Sequence, residues 1–144
     1  MKIKLNEVRG KSEGLCGPLE TEDYVPQPIE DVSPPKWHLA HTSWFFEVFI
    51  LMPYKKGFKP FNEQYHYLFN SYYQSMGRRV VRATRGNLSR PTVEEVMRYR
   101  KYVTDELNGF LEQQDELGEK LKLLFEIGIN HEQQHQELFV YDIK

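Results

Sequence analysis

Leu117, Leu121, Leu124, Gly128, His131, His135 and Leu138 recur at alternating four- and three-residue steps near the end of the chain. That rhythm keeps one stripe of a helix on one side. The stretch from about Glu116 to Asp142 is therefore predicted as a long helix with this seam against a core. Two seam positions suited to leucine hold imidazoles instead. His131 and His135 stack one turn apart, and both rings can aim at a single cation. A lone histidine there would read as a satisfied core residue. Two at this spacing, with polar Gln134 and Glu137 beside them, favour a metal site. Gly128, one turn below, omits a side chain where such a site needs room. The run from His131 to His135 also matches the His-Glu-x-x-His pattern of zinc peptidases, with Glu132 as a possible base. A peptidase is disfavoured because its third ligand lies beyond the helix, and only nine residues follow His135, none of them histidine.

A third ligand is available far upstream. Ser33 followed by Pro34 and Pro35 reads as a helix start, an N-cap hydroxyl ahead of residues whose missing N–H groups cost nothing there. The helix is expected to run to about Leu51 and to end before Pro53. Its seam is Trp37, His41, Trp44, Val48 and Leu51, again with a histidine in a hydrophobic register. His41 is the candidate. His38 sits off that aim and is assigned to capping, packing or a rim position. Glu47 reads either as a partner to a ligand or as a solvated residue.

The remaining chain supplies a helical frame. Residues 1–22 carry a weak helical pattern (Leu5, Val8, Leu15, Leu19) cut by Gly10, Gly14 and Gly17. Cys16 reads there as a small buried apolar residue rather than a reactive thiol. Tyr24 to Pro35 holds four prolines and reads as an extended linker. Met52 to Met76 is irregular and rich in aromatics, predicted to pack over the helices with one short helix around Asn70 to Ser75. His66 stands in it as a surface residue. Arg78, Arg79, Arg82, Arg85 and Arg90 form a local basic cluster, in which Arg82 and Arg85 can fork onto a carboxylate or simply be solvated. Thr92 with Glu95 is a capping box, opening a helix with Val93, Val96, Tyr99, Val103, Leu107, Phe110 and Leu111 on its core side. Strand signals are nearly absent. The predicted fold class is all-α, an up-and-down four-helix bundle built in one domain over residues 1–144.

Charge and cysteine usage exclude several classes of function. Lys plus Arg number 19 against 21 Asp plus Glu, and the net charge of −2 gives no general pull toward nucleic acid or membrane. The longest apolar stretch, Trp44 to Met52, is broken by Glu47 and is too short to span a bilayer. A single cysteine rules out an internal disulfide and fits a reducing cytoplasm.

Taken together, several of these segments resemble one family. They are Ser33-Pro-Pro-Lys-Trp-His-Leu-Ala-His41-Thr-Ser-Trp-Phe-Phe-Glu47, Asn70-Ser-Tyr-Tyr, Arg90-Pro-Thr92, Gly128-Ile-Asn-His-Glu-Gln-Gln-His-Gln-Glu137, and the opening Leu15-Cys-Gly-Pro-Leu-Glu-Thr-Glu-Asp-Tyr-Val-Pro-Gln27. They are similar to the N-terminal DinB-like domain of the ergothioneine-biosynthesis sulfoxide synthases (EgtB), a DinB/YfiT-like fold. The resemblance implies a non-haem Fe(II) held by His41, His131 and His135, the three residues that the seams also single out. In such enzymes iron and O2 join a thiol, γ-glutamylcysteine or cysteine, to the imidazole of hercynine, giving a sulfoxide. The resemblance further implies that Arg82 and Arg85 grip the carboxylates of the thiol substrate, and that Gln134 lies near bound hercynine. The family's catalytic tyrosine belongs to a following domain of the formylglycine-generating-enzyme type. This chain stops at Lys144, so the expectation is a metal-holding domain with no catalytic residue of its own and no turnover without that partner domain, in cis or in trans.

Two further readings remain open from the residues. A stand-alone DinB-like protein would use zinc or nickel to lower a thiol's pKa for a transferase reaction. A non-catalytic bundle would house its histidines in an internal polar pocket and dock a separate catalytic chain. Three imidazoles suit Fe(II) and Zn(II) alike, so spacing does not choose the metal.

Overall fold

The computed structural model describes residues 1–71 and 79–143. Among the described residues all regular structure is helical, with no strand. The α-helical segments are α1 (Lys2–Leu15), α2 (Pro35–Phe46), α3 (Met52–Tyr54), α4 (Tyr65–Leu68), α5 (Val93–Glu112) and α6 (Glu119–Asp142). Short 3-10 helices cover Thr21–Tyr24 and Arg82–Asn87. No helix of the described residues is long and apolar enough to cross a membrane.

The central element is α2. Every one of its residues is buried, Lys36 included. A helix apolar all round belongs inside a protein, and α2 packs against both α5 and α6 while α1 closes on α6 and α5. The predicted seam residues Trp37, His41, Trp44, Val48 and Leu51 are all buried, but so are the faces beside them. Lys36 is accommodated because its Nζ reaches the carbonyl of Leu88 at 2.7 Å.

Two boundaries of this helix differ from expectation. Ser33 is not the N-cap; Pro34 holds that position without a side-chain bond. The Ser33 hydroxyl is instead taken by Arg85 Nη1 at 2.8 Å, and its N–H donates to Asp142 at 2.9 Å. Nor does the helix stop before Pro53. It widens into a π turn over Glu47–Leu51 and continues into α3. The widened turn has already interrupted the i→i−4 ladder, so the missing N–H of Pro53 breaks little more.

Helix α1 runs straight through Gly10 and Gly14, where an added Cβ would meet nothing within 4 Å. These glycines weaken the helix without interrupting it, and tertiary burial of Leu5, Val8, Arg9 and Ser12 supplies the order that local propensity lacks. Cys16 just beyond is 2% exposed, its thiol pushed up to about 11 by burial, as the inert reading requires. Helix α5 begins at the expected capping box: Glu95 N–H donates to Thr92 Oγ1 at 3.2 Å, and Thr92 N–H to Glu95 Oε2 at 2.7 Å. Of its predicted core side, Val96, Tyr99, Val103, Leu107 and Phe110 are buried, and Arg100 joins them.

The aromatic stretch after α3 packs over α5. Tyr65 and Phe61 lie 5.0 and 5.5 Å from the Tyr99 ring. The short helix falls earlier than predicted, at Tyr65–Leu68, and Asn70 and Ser71 are not helical. The rest of the predicted segment, from residue 72 on, lies outside the described residues, as does Arg78.

Candidate metal centre

The histidine-bearing part of α6 is rotated relative to the predicted seam. Its buried stripe is Leu121, Phe125, Gly128, Ile129, Glu132, Gln136 and Phe139. Glu132 and Gln136 therefore face the core, and His131 and His135 stand on the flank that meets α2. The polar stripe is possible because other buried groups answer it. Glu132 Oε2 accepts from Arg9 Nη1 at 3.0 Å, and Glu132 Oε1 accepts from Arg100 Nη2 and Ser12 Oγ, both at 2.8 Å. Burial by itself pushes this carboxyl up, but Arg100 and Arg9 outweigh it and hold the group down at about 2. Glu132 is thus a fixed anion clamped between α1 and α5, unavailable as a base. Gln136 completes the layer by donating to the Val8 carbonyl at 2.8 Å and to Ser12 Oγ at 3.0 Å.

Gly128 also serves another purpose than the predicted one. A Cβ there would fall 2.6 Å from Phe46 Cε1 and 3.1 Å from Phe45 Cε1. The space it leaves is filled by aromatic rings of α2, which brings the two histidine-bearing helices close together.

Their approach assembles the site. His41, His131 and His135 each offer one ligand atom, and these atoms lie within 4.8 Å of one another. His41 Nε2 and His131 Nε2 are 3.2 Å apart. Two nitrogens bound about 2.0–2.1 Å from one tetrahedral ion stand about 3.3 Å apart, so this pair already has the spacing of co-ligands. His41 Nδ1 lies 2.6 Å from the carbonyl of Phe69, which fixes the proton on Nδ1 and leaves the Nε2 lone pair facing His131. The His41 ring is stacked between Trp37 at 4.4 Å and Trp44 at 5.4 Å, which sets its plane. All three rings are held neutral. Burial and the neighbouring His131 keep His41 well below its ordinary range. Burial brings His131 down to about 4, and burial with His41 and His131 lowers His135 as well. Neutral imidazoles with lone pairs converging are what a divalent ion needs, since a protonated ring cannot ligate. The three residues fit a metal ion by geometry and by protonation.

His38 is more than a rim residue. Its Nδ1 lies 2.9 Å from His135 Nδ1, and its Nε2 lies 2.8 Å from Asp142 Oδ2 in the last turn of α6. No sequence signal joins residues so far apart. Glu47 is neither solvated nor bonded to a ligand histidine. It is fully buried, accepting from Tyr99 at 3.1 Å and from the Phe61 N–H at 3.3 Å. His66, expected at the surface, is half-buried with Nε2 3.3 Å from the Glu47 carboxylate.

The histidines open onto a cavity of about 630 Å³ whose walls include Arg82, Arg85 and Gln134. Arg85 is 4% exposed, with its guanidinium carbon 3.4 Å over the Trp37 ring. Its Nη1 and Nη2 reach Ser33 Oγ and Ser71 Oγ at 2.8 and 3.0 Å. Arg82 is exposed on the rim, where its Nη1 donates to the Asp31 carbonyl at 3.3 Å. A solvated-loop reading therefore fails for Arg85. Gln134 is exposed on the α6 side of the same cavity.

A search of curated protein sequences finds no match. The family model of the DinB superfamily matches residues 4–139, from the first helix to the last turn below Asp142, and the chain belongs to that superfamily.

Proposed function

We propose that this chain is the metal-holding helical domain of a non-haem iron sulfoxide synthase, in the four-helix up-and-down arrangement of such domains. Its substrates would be a small carboxylate-bearing thiol, γ-glutamylcysteine or cysteine, and hercynine. The observation that carries the reading is the convergence of His41, His131 and His135, whose ligand atoms lie within 4.8 Å, at a cavity that Arg82, Arg85 and Gln134 also line. Fe(II) bound there would supply O2 activation and a binding place for a thiolate. The protein's own part is positional. Trp37 and Trp44 fix the plane of His41, and Phe69 fixes its tautomer. The arginines place positive charge where a substrate carboxylate would lie, and a guanidinium takes a carboxylate in a two-point grip. Gln134 offers an amide to the imidazole substrate. The catalytic acid or base would come from a second domain.

The test is metal content after anaerobic Fe(II) loading of wild type beside His131→Ala, followed by addition of a formylglycine-generating-enzyme-type domain, hercynine and thiol. About one ion per chain, lost in the variant, is expected, with sulfoxide formed only when both domains are present. Sulfoxide-free mixtures with a fully loaded chain would favour the other reading, a metal-dependent thiol transferase using zinc or nickel.

A further inference from the structure

Two of the three candidate ligands have their outward nitrogen engaged, and they differ in what engages it. His41 uses a backbone carbonyl, that of Phe69. His135 uses a side chain, His38, which in turn meets Asp142. His131 Nδ1 is buried with no hydrogen-bond partner among the described residues. The chain Asp142–His38–His135 has a direction set by its first member. A carboxylate only accepts, so His38 must donate to it through Nε2–H. A neutral His38 then carries its lone pair on Nδ1 and can only accept from His135 Nδ1–H. That leaves His135 with its lone pair on Nε2, the nitrogen not engaged by His38.

We infer that Asp142 and His38 are positioning residues that hold His135 in its Nδ1–H tautomer, presenting Nε2 to the ion; this rests on the metal-site reading proposed above. The relay is built rather than incidental. The side chains of His38 and Asp142 are 5% and 8% exposed. Asp142 Oδ2 is also steadied by the Ser33 N–H at 2.9 Å. His38 is buried with the rings of Trp37 and Phe139 edge-on to its own, an apolar setting that suits an uncharged imidazole. Outer partners of this kind orient metal-binding imidazoles and raise their basicity.

The experiment is two-bond 1H–15N correlation NMR on the metal-free chain, paired with anaerobic Co(II) titration. The expected result is His135 protonated on Nδ1 in wild type. In His38→Phe and in Asp142→Ala that population should move toward Nε2–H, and Co(II) affinity should fall by about 10–100-fold. An Nε2–H tautomer in wild type overturns the inference without any variant having to fold. So does unchanged Co(II) affinity in a folded His38→Phe chain. Should wild type bind no Co(II) at all, the metal reading falls, while the tautomer measurement still decides what His38 and Asp142 do to His135.

Discussion

His41 Nε2 and His131 Nε2 lie 3.2 Å apart on two helices separated by 90 residues of chain. No protein atom need move far for both to touch one ion. His41→Ala, His131→Ala and His135→Ala are each expected to abolish stoichiometric metal binding, measured by elemental analysis after loading and desalting. The fold should survive each change, because none of the three rings bears on the Glu132 clamp. Full retention of metal in His41→Ala would remove α2 from the site.

The clamp itself carries stability. Arg9, Arg100 and Glu132 are each buried to 1% exposure or less. Removing one partner of such a set strands the other charges in the interior, at a cost of about 3–5 kcal/mol. Glu132→Gln should therefore lower the urea midpoint sharply, far more than loss of an exposed pair such as Arg98–Glu94, which is worth under about 1 kcal/mol. Equal effects in the two variants would mean that the clamp contributes no more than surface charge does.

Acid should unfold the metal-free chain in two stages. His131 is lowered from 6.5 to about 4 in the folded state, so the unfolded chain binds that proton more readily. The stability involved is fully present above about pH 6.5 and drains away as pH falls toward 4. Glu132, lowered from 4.5 to about 2, adds a second loss between those values. Because His41 and His135 are lowered too, denaturation midpoints across this range should fall less steeply, not flatly, at the upper stage in His131→Leu and at the lower stage in Glu132→Gln.

Gly128→Ala tests the contact between α2 and α6. Alanine favours a helix by about 1 kcal/mol over glycine. Here its Cβ would press to 2.6 Å on Phe46, a ring that is wholly buried. Overpacking of this kind costs about 1–3 kcal/mol, so a lower melting temperature is expected despite the better helix former. A higher one would mean that the Phe46 ring has room to turn.

The candidate ligands are legible in the sequence because periodicity speaks for a helix face: His41, His131 and His135 all occupy positions where hydrophobes recur. The same argument misplaced the face of α6 by one position, since it counted apolar residues and so passed over Glu132 and Gln136. A buried carboxylate reads as solvent-facing until its partners are known. Those partners, Arg9 and Arg100, sit 123 and 32 residues away in sequence. Gly128 reads in the sequence as room for a metal site, whereas its space is filled by the rings of Phe46 and Phe45, which only the packing of α2 reveals. The glycines of α1 looked like interruptions because local propensity was weighed without the tertiary burial that overrides it. The capping box at Thr92 was read in full because every part of it lies within four residues. The link from Asp142 through His38 had no local signature at all.

Because Glu132 lies between the two histidines of α6 and is tied to α1 and α5, the helix carrying those ligands is docked by an internal ion rather than by the external one. The empty receptor and the filled one should thus share a backbone, unlike a zinc finger, whose chain collapses only around its ion. Loading then becomes a matter of exchange rather than of folding. An ion held there could leave again without the protein coming apart.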